Sequence, residues 1–336
     1  MGNKSYFAAA NGYSGFRSYF DSIFNSEEYK RLFVLKGGPG TGKSTLMRRV
    51  ANSAASAGVE CDKIFCSSDP DSLDGVIIYT KRGNYAVIDG TAPHQRDAVI
   101  PGAIDSLVNL GDSFNVPSLE SRRNEIVILN KQKRAAYSEA YSYLCTAGAI
   151  KDKITKLITK NFNYKKAEHI ASTIKSFTMT KSSKPKIALR RAFCKHGYFT
   201  LDSFITAERT FRISGQYGEE SVFLKLFVNK SRQRCDYISF DPLCAQSMDA
   251  VISSDVSFIC TSDATSEFNA QECLNQTVSL EELSVLKEMH DSVLTIAKKH
   301  FNKAALLHSE LEAIYRNSVD FSRNDAIINR IINDIL

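Results

Sequence analysis

Apolar positions along this chain follow two patterns, and each pattern occurs twice. Short apolar runs bounded by glycine or polar residues, such as "RLFVL" at 31–35 and "YAVI" at 85–88, predict buried strands. Long stretches with apolar residues at helical spacing predict helices over 118–176 (Ile126, Leu129, Ala136, Tyr137, Tyr143, Leu144, Ile154, Leu157, Ile158) and over 279–336. In the first stretch, strands are expected at 31–35, 62–66 and 85–88. A helix is expected from Ser44 to the stop at Gly58, and another over Asp71–Thr80. That is a strand–helix–strand–helix–strand order, the signature of an open α/β sheet with its ligand at the carboxyl ends of the strands. Further on, Asp105 and Asn109 stand four apart and read as one face of a short surface helix.

The turn after the first strand reads Gly37, Gly38, Pro39, Gly40, Thr41, Gly42, Lys43, Ser44, Thr45, which matches G-x-x-x-x-G-K-S/T. The glycines let the backbone curl until its N–H groups converge on phosphate oxygens. Lys43 would reach the β- and γ-phosphates, Ser44 would offer a hydroxyl to Mg²⁺, and the helix that follows points its positive end at the same anion. Asp89, closing the 85–88 strand, is the expected second metal residue. Gly90 stands where many hydrolases carry a water-activating glutamate, so slow turnover is expected. His94, in "IDGTAPH", would orient water, sense the γ-phosphate or accept it, or stand exposed in the loop without a role. The expected catalytic set is Lys43, Asp89 and His94, with ATP and Mg²⁺ as ligands.

A second stretch, "RTFRISGQYGEESVFL" at 209–224, resembles this loop with its chemistry removed. Gly37 falls on Gly215 and Gly40 on Gly218; with one residue deleted, Lys43 falls on Glu220 and Ser44 on Ser221. The echo extends to "NGYSGFRSYF" and "HGYFTLDSFI", to "CDKIFCSSDPDSLDGVI" and "CDYISFDPLCAQSMDAVI", and to "YAVIDGTA" and "VSFICTSD", where Cys260 replaces Asp89. The helical stretches echo as well. The chain therefore reads as two copies of one unit. Its expected organisation is an intact core at 1–116, a basic helical tail at 117–176 and a linker at 177–188. A degenerate core at 189–278 and a C-terminal helical tail at 279–336 follow. A carboxylate at a phosphate nest repels phosphate, so one nucleotide site per chain is expected.

The motifs "FAAANGYSGF", "GGPGTGKSTLM", "DPDSLDGVI", "VIDGTAPH" and "PGAIDSLVNLGD" together resemble uncharacterised bacterial tandem P-loop ATPase-like proteins over essentially the whole chain. The resemblance implies two P-loop NTPase-like parallel-sheet units in tandem, nucleotide binding and hydrolysis. Members often keep an intact second loop, which this chain does not.

Charge sharpens the division. Residues 117–196 carry 18 basic and 5 acidic side chains, whereas 197–336 carry 13 and 20. The basic segment either meets a polyanion or protein partner, or pairs with the acidic half. Its lysines and arginines are expected to reach the acidic loop around Glu219 and Glu220. The eight cysteines include no Cys-x-x-Cys pair and no neighbouring histidine cluster, which argues for reduced thiols rather than zinc or disulfides. No apolar run is long enough for a membrane span and the N-terminus has no signal-peptide core, so a cytoplasmic protein is expected. Three functions fit: a slow Mg²⁺-dependent ATPase whose second copy is a structural or regulatory partner, a kinase passing the γ-phosphate to a small molecule or nucleotide, or a non-enzymatic nucleotide-dependent interaction protein.

Overall fold

The computed structural model describes residues 3–174, 185–231, 235–262 and 266–336. Its first half begins with β1 (Ser5–Phe7), the hairpin β2 (Ala9–Gly12) and β3 (Gly15–Ser18), and a single turn α1 (Phe20–Ile23). Then come β4 (Arg31–Lys36), α2 (Lys43–Ser56), β5 (Glu60–Phe65), β6 (Leu73–Thr80), β7 (Gly83–Asp89) and β8 (Asp105–Asn109). These build a six-stranded sheet in the order β1-β5-β6-β7-β4-β8. The β1–β5, β7–β4 and β4–β8 pairs are parallel; β5–β6 and β6–β7 are antiparallel.

Two expectations fail here. Asp71–Thr80 is no helix, because Leu73–Ile78 is buried throughout and pairs with a strand on each side. A strand covered on both faces loses its alternation and reads like a buried helix; the β-branched run Val76-Ile77-Ile78 favours the strand. Asp105 and Asn109 likewise lie in β8, parallel to β4, rather than on a surface helix. The Asp105 carboxylate is buried and accepts hydrogen bonds from the amides of Val99 (2.6 Å) and Ile100 (2.8 Å) and from Ser26 Oγ (3.1 Å). It closes the loop that leads into β8.

After the first sheet come α3 (Val116–Ser121), α4 (Arg123–Asn161) and α5 (Tyr164–Ile174). The second half repeats the plan with β9 (Lys186–Ile187), β10 (Arg191–Cys194), β11 (Gly197–Thr200), β12 (Arg209–Ser214) and α6 (Glu219–Ser231). It continues with β13 (Tyr237–Phe240), β14 (Met248–Ile252), β15 (Val256–Thr261), β16 (Phe268–Asn269), α7 (Leu280–Arg316) and α8 (Phe321–Ile335). Its sheet order, β9-β13-β14-β15-β12-β16, is that of the first sheet strand for strand. The expected linker over 177–188 lies largely outside the described residues, and its last part belongs to the second sheet, since Lys186 and Ile187 pair with β13.

The helical tails do not stay wholly with the sheets they follow, although Leu283 and Leu286 at the start of α7 remain in the second core. α4 and α7 pack antiparallel: Leu129 meets Leu311 and Ile314, while Ala140 and Leu144 meet Leu294, Ala297 and Phe301. Beyond this hairpin the tails cross over. Ile328, Ile331 and Ile335 of α8 join Leu46, Met47 and Val50 of α2 in the core of the first sheet. Ala167 and Ala171 of α5 join Phe223, Leu224 and Phe227 of α6 in the core of the second. A central cluster mixes Tyr6, Ala8, Ile77 and Ile88 with Phe204, Ala250 and Ile252, so the two halves share a core. Among the described residues no helix is long and apolar enough to cross a membrane. All eight cysteines are free thiols.

Candidate functional site

The 37–42 loop joins β4 to α2 at the carboxyl end of the first sheet. Gly42 caps α2 in the left-handed region, so the helix begins at Lys43. Lys43 Nζ donates to the carbonyls of Gly37 and Gly38, both at 3.0 Å, and lies 3.7 Å from Asp89 Oδ2. The parallel pairing of Leu35 with Asp89 in β4 and β7 delivers this carboxylate to the mouth of the loop. Asp89 Oδ1 is taken up by the amide (2.8 Å) and hydroxyl (2.6 Å) of Thr91, which leaves Oδ2 toward Lys43. Ser44 Oγ accepts from the Leu73 amide at 3.0 Å, tying the start of α2 to β6. Thr41 is buried and donates to the Gly38 carbonyl at 2.8 Å, bracing the loop from inside. Thr45 is exposed on the first turn of α2. The structure thus gathers Gly37–Thr45 and Asp89 at one place.

His94 is elsewhere in the same neighbourhood. It is buried, its ring stacks on Phe20 (centroids 4.6 Å apart) and meets the edge of Phe16 (5.0 Å). Its Nε2 lies 2.9 Å from Asp74 Oδ2. Burial pulls the imidazole pKa down, but the charges of Asp74 and then Asp89 outweigh it and the net shift is upward. Sequence reasoning missed Asp74, whose partner stands twenty residues away in the loop after β7.

The outer wall of the loop comes from the far end of the chain. Gly40 sits at φ +71, where a Cβ would come within 2.6 Å of the Glu312 carbonyl and 3.1 Å of the Arg316 amide. Asn324 Nδ2 donates to the Thr41 carbonyl at 3.0 Å. Phe321 faces Gly42, and Arg49 pairs with Asp325 and with Asn329 at 3.2 Å. A cleft of about 70 Å³ remains between α2 and α8, lined by Thr41, Gly42, Thr45, Arg49, Phe321 and Asn324. Burial and then Lys133 of α4 hold His308 of α7 below its ordinary pKa, with Glu312 opposing and Lys43 adding to the shift. Arg96 is committed to Ser26 (3.0 Å) and Asp21 (3.3 Å), within the first unit.

The degenerate loop has supplied its own anion. Glu219 is fully buried, and its carboxylate accepts from the amides of Gln216 (3.1 Å) and Tyr217 (2.9 Å). Glu220 folds back so far that a Cβ on Gly215 would lie 1.9 Å from its Oε2. That oxygen is buried without a partner. Burial pushes the Glu220 carboxyl up to about 7, with Lys151 opposing and Glu219 reinforcing the shift. Lys151, from the basic segment, donates to the Tyr217 carbonyl at 2.8 Å. Other cations of that segment also meet acidic groups: Lys153 with Glu282 (3.5 Å), Lys166 with Glu272 (3.9 Å) and Lys195 with Asp69 (2.6 Å).

No protein-family model, curated protein or solved structure matches this chain.

Proposed function

We propose that the first unit binds one nucleoside triphosphate in the Gly37–Thr45 loop and hydrolyses it slowly, while the second unit is a partner that binds none. The observation that carries this reading is Lys43, held 3.7 Å from Asp89 at the mouth of a glycine loop, set against an equivalent loop already filled by Glu219. Lys43 now rests on two carbonyl oxygens, weak partners that a phosphate would replace with a charge-assisted contact. Ser44 and Asp89 offer oxygen donors of the kind a hard cation takes. Mg²⁺ held there would neutralise charge on the phosphates. Gly90 directly follows Asp89, where many hydrolases carry a water-activating glutamate, and this supports slow turnover.

A nucleotide-dependent switch is the second reading, and the clamp on the loop favours it. The cleft beside Phe321 is far smaller than the several hundred cubic ångströms of ordinary ligand pockets, so a base entering there must displace α8. Calorimetry with Mg·ATP should give one site per chain, lost in Lys43→Ala and less Mg²⁺-dependent in Asp89→Asn. Two equivalent sites, or unchanged binding in Lys43→Ala, would overturn the proposal. ADP and free phosphate released together identify the ATPase; binding without ADP identifies the switch. ADP formed without free phosphate, only when metabolites are added, would identify a kinase.

A further inference from the structure

Beside the loop, three side chains converge, one from a strand and two from the segments that follow strands. Cys66 follows β5, Asp74 lies in β6 and His94 follows β7; the sulfur, one carboxylate oxygen and a ring nitrogen all lie within 4.8 Å of one another. Asp74 and His94 are each only 6% exposed. His94 Nε2 comes within 2.9 Å of Asp74 Oδ2, an ion pair when the ring is protonated; with a neutral ring that oxygen lacks a hydrogen bond of good geometry, and His94 Nδ1 is buried without a partner as well. A buried carboxylate oxygen in that state costs free energy unless something positive reaches it.

The second unit shows what reaches it there. Phe65 pairs with Leu73 as Phe240 pairs with Met248, so Cys66 and Asp74 correspond to Asp241 and Asp249. Two guanidinium groups reach those carboxylates: Arg191 Nη2 bridges them, 2.6 Å from Asp249 Oδ1 and 3.1 Å from Asp241 Oδ2, and Arg190 Nη2 lies 3.1 Å from Asp249 Oδ1. By the register of the two hairpins, the first unit has Ala9 at the position of Arg191. A methyl group thus replaces that cation, one of the two carboxylates is replaced by a thiol, and a histidine is added. The fold therefore places a positive charge at this point in one half, and metal-ligand chemistry at the same point in the other.

We infer that Cys66, Asp74 and His94 bind one divalent transition-metal ion of the zinc class, independently of the nucleotide loop. Sulfur and imidazole nitrogen select such an ion over Mg²⁺ or Ca²⁺. Three protein ligands leave a tetrahedral ion one position for water, the pattern of reactive rather than purely structural zinc sites. The rings of Phe16 and Phe20 wall the histidine. Because the ligands are brought together by β5, β6 and β7 rather than by sequence, no cysteine spacing could show the site.

The test is a titration of the full chain with Co²⁺ alone, read by the thiolate-to-cobalt charge-transfer absorption. One Co²⁺ per chain is expected, with the band abolished in Cys66→Ser and saturable binding lost in His94→Ala. Ala9→Arg, which imports the guanidinium of the second unit, should also abolish binding. Lys43→Ala should bind Co²⁺ as the unaltered chain does, which separates this site from the nucleotide site. Circular dichroism checks that each variant is folded. Should Cys66→Ser not fold, a melting temperature of the unaltered chain that falls on chelation and recovers with Zn²⁺ supports the site. Absence of the band in the unaltered chain, stoichiometric binding unaffected by Cys66→Ser, or folded Ala9→Arg binding as tightly as before would overturn it.

Discussion

Glu220 is the residue at which the two loops differ most sharply, since it stands where the first has Lys43. The residue is only partly buried by area, yet its Oε2 is wholly out of solvent and unpartnered. Its pKa, raised from 4.5 to about 7 chiefly by burial, means that the folded chain holds this proton more tightly than the unfolded chain. The stabilising effect is present below pH 4.5 and is lost as pH rises through about 7. Glu220→Gln should therefore raise stability at pH 8 by about 1–2 kcal/mol, the full shift being discounted for partial exposure, and by nothing measurable near pH 4. Urea unfolding at both pH values checks it; equal effects at both would refute the burial argument. Glu220→Lys should create no second nucleotide site, because Glu219 still takes the loop amides, Lys151 stands opposite and Cys260 offers no carboxylate for Mg²⁺. At this scale much was legible: the loop motif places Lys43 beside Ser44, and the end of the 85–88 strand brings Asp89 to 3.7 Å from Lys43. Asp74 was not, because a carboxylate inside a strand has no local pattern that points to a histidine in the loop after another strand.

Elements were legible in proportion to their periodicity. The two long helical stretches and the strands around the loop follow from spacing alone, and the repeat predicted that both halves would carry them. β6 was misread because burial on both faces erases alternation, and β8 because an i, i+4 pair of polar residues also fits a strand end. The clamp of α7 and α8 on the loop left no signal, since Phe321 and Asn324 read as ordinary positions of an amphipathic helix. It nonetheless has a measurable consequence. If a nucleotide must push α8 aside, removing the Asn324–Thr41 hydrogen bond lowers the cost of doing so. A bond of this kind contributes about 1 kcal/mol, so Asn324→Ala should bind Mg·ATP roughly fivefold more tightly while melting at a lower temperature. Weaker binding in that variant would mean that Asn324 shapes the loop for its ligand rather than restraining it.

At the scale of the whole molecule, the exchange of tails makes the two halves one folding unit. Each half supplies a helix that closes the other's core, so the first sheet is not finished until α8 has been made. Ile331 is fully buried against α2 of the first unit although it belongs, in sequence, to the second. Truncating such a side chain costs about 2–5 kcal/mol, a large share of the 5–15 kcal/mol that holds a domain folded. Ile331→Ala should therefore lower amide-exchange protection in β4, β5 and α2 before it affects β12–β15. Loss confined to the second half would show that α8 closes its own unit instead. The same crossing gives the loop a route to the rest of the protein. Helix α8 rests on α2 and touches the loop through Asn324, while α7 runs back along α4 to Lys151 at the second loop. A ligand that moves α8 acts on a helix whose partners lie in both halves. Exchange measured with and without Mg·ATP should then change along α7 and α8 as well as at Gly37–Thr45, and a change restricted to the loop would leave the second unit a purely structural partner.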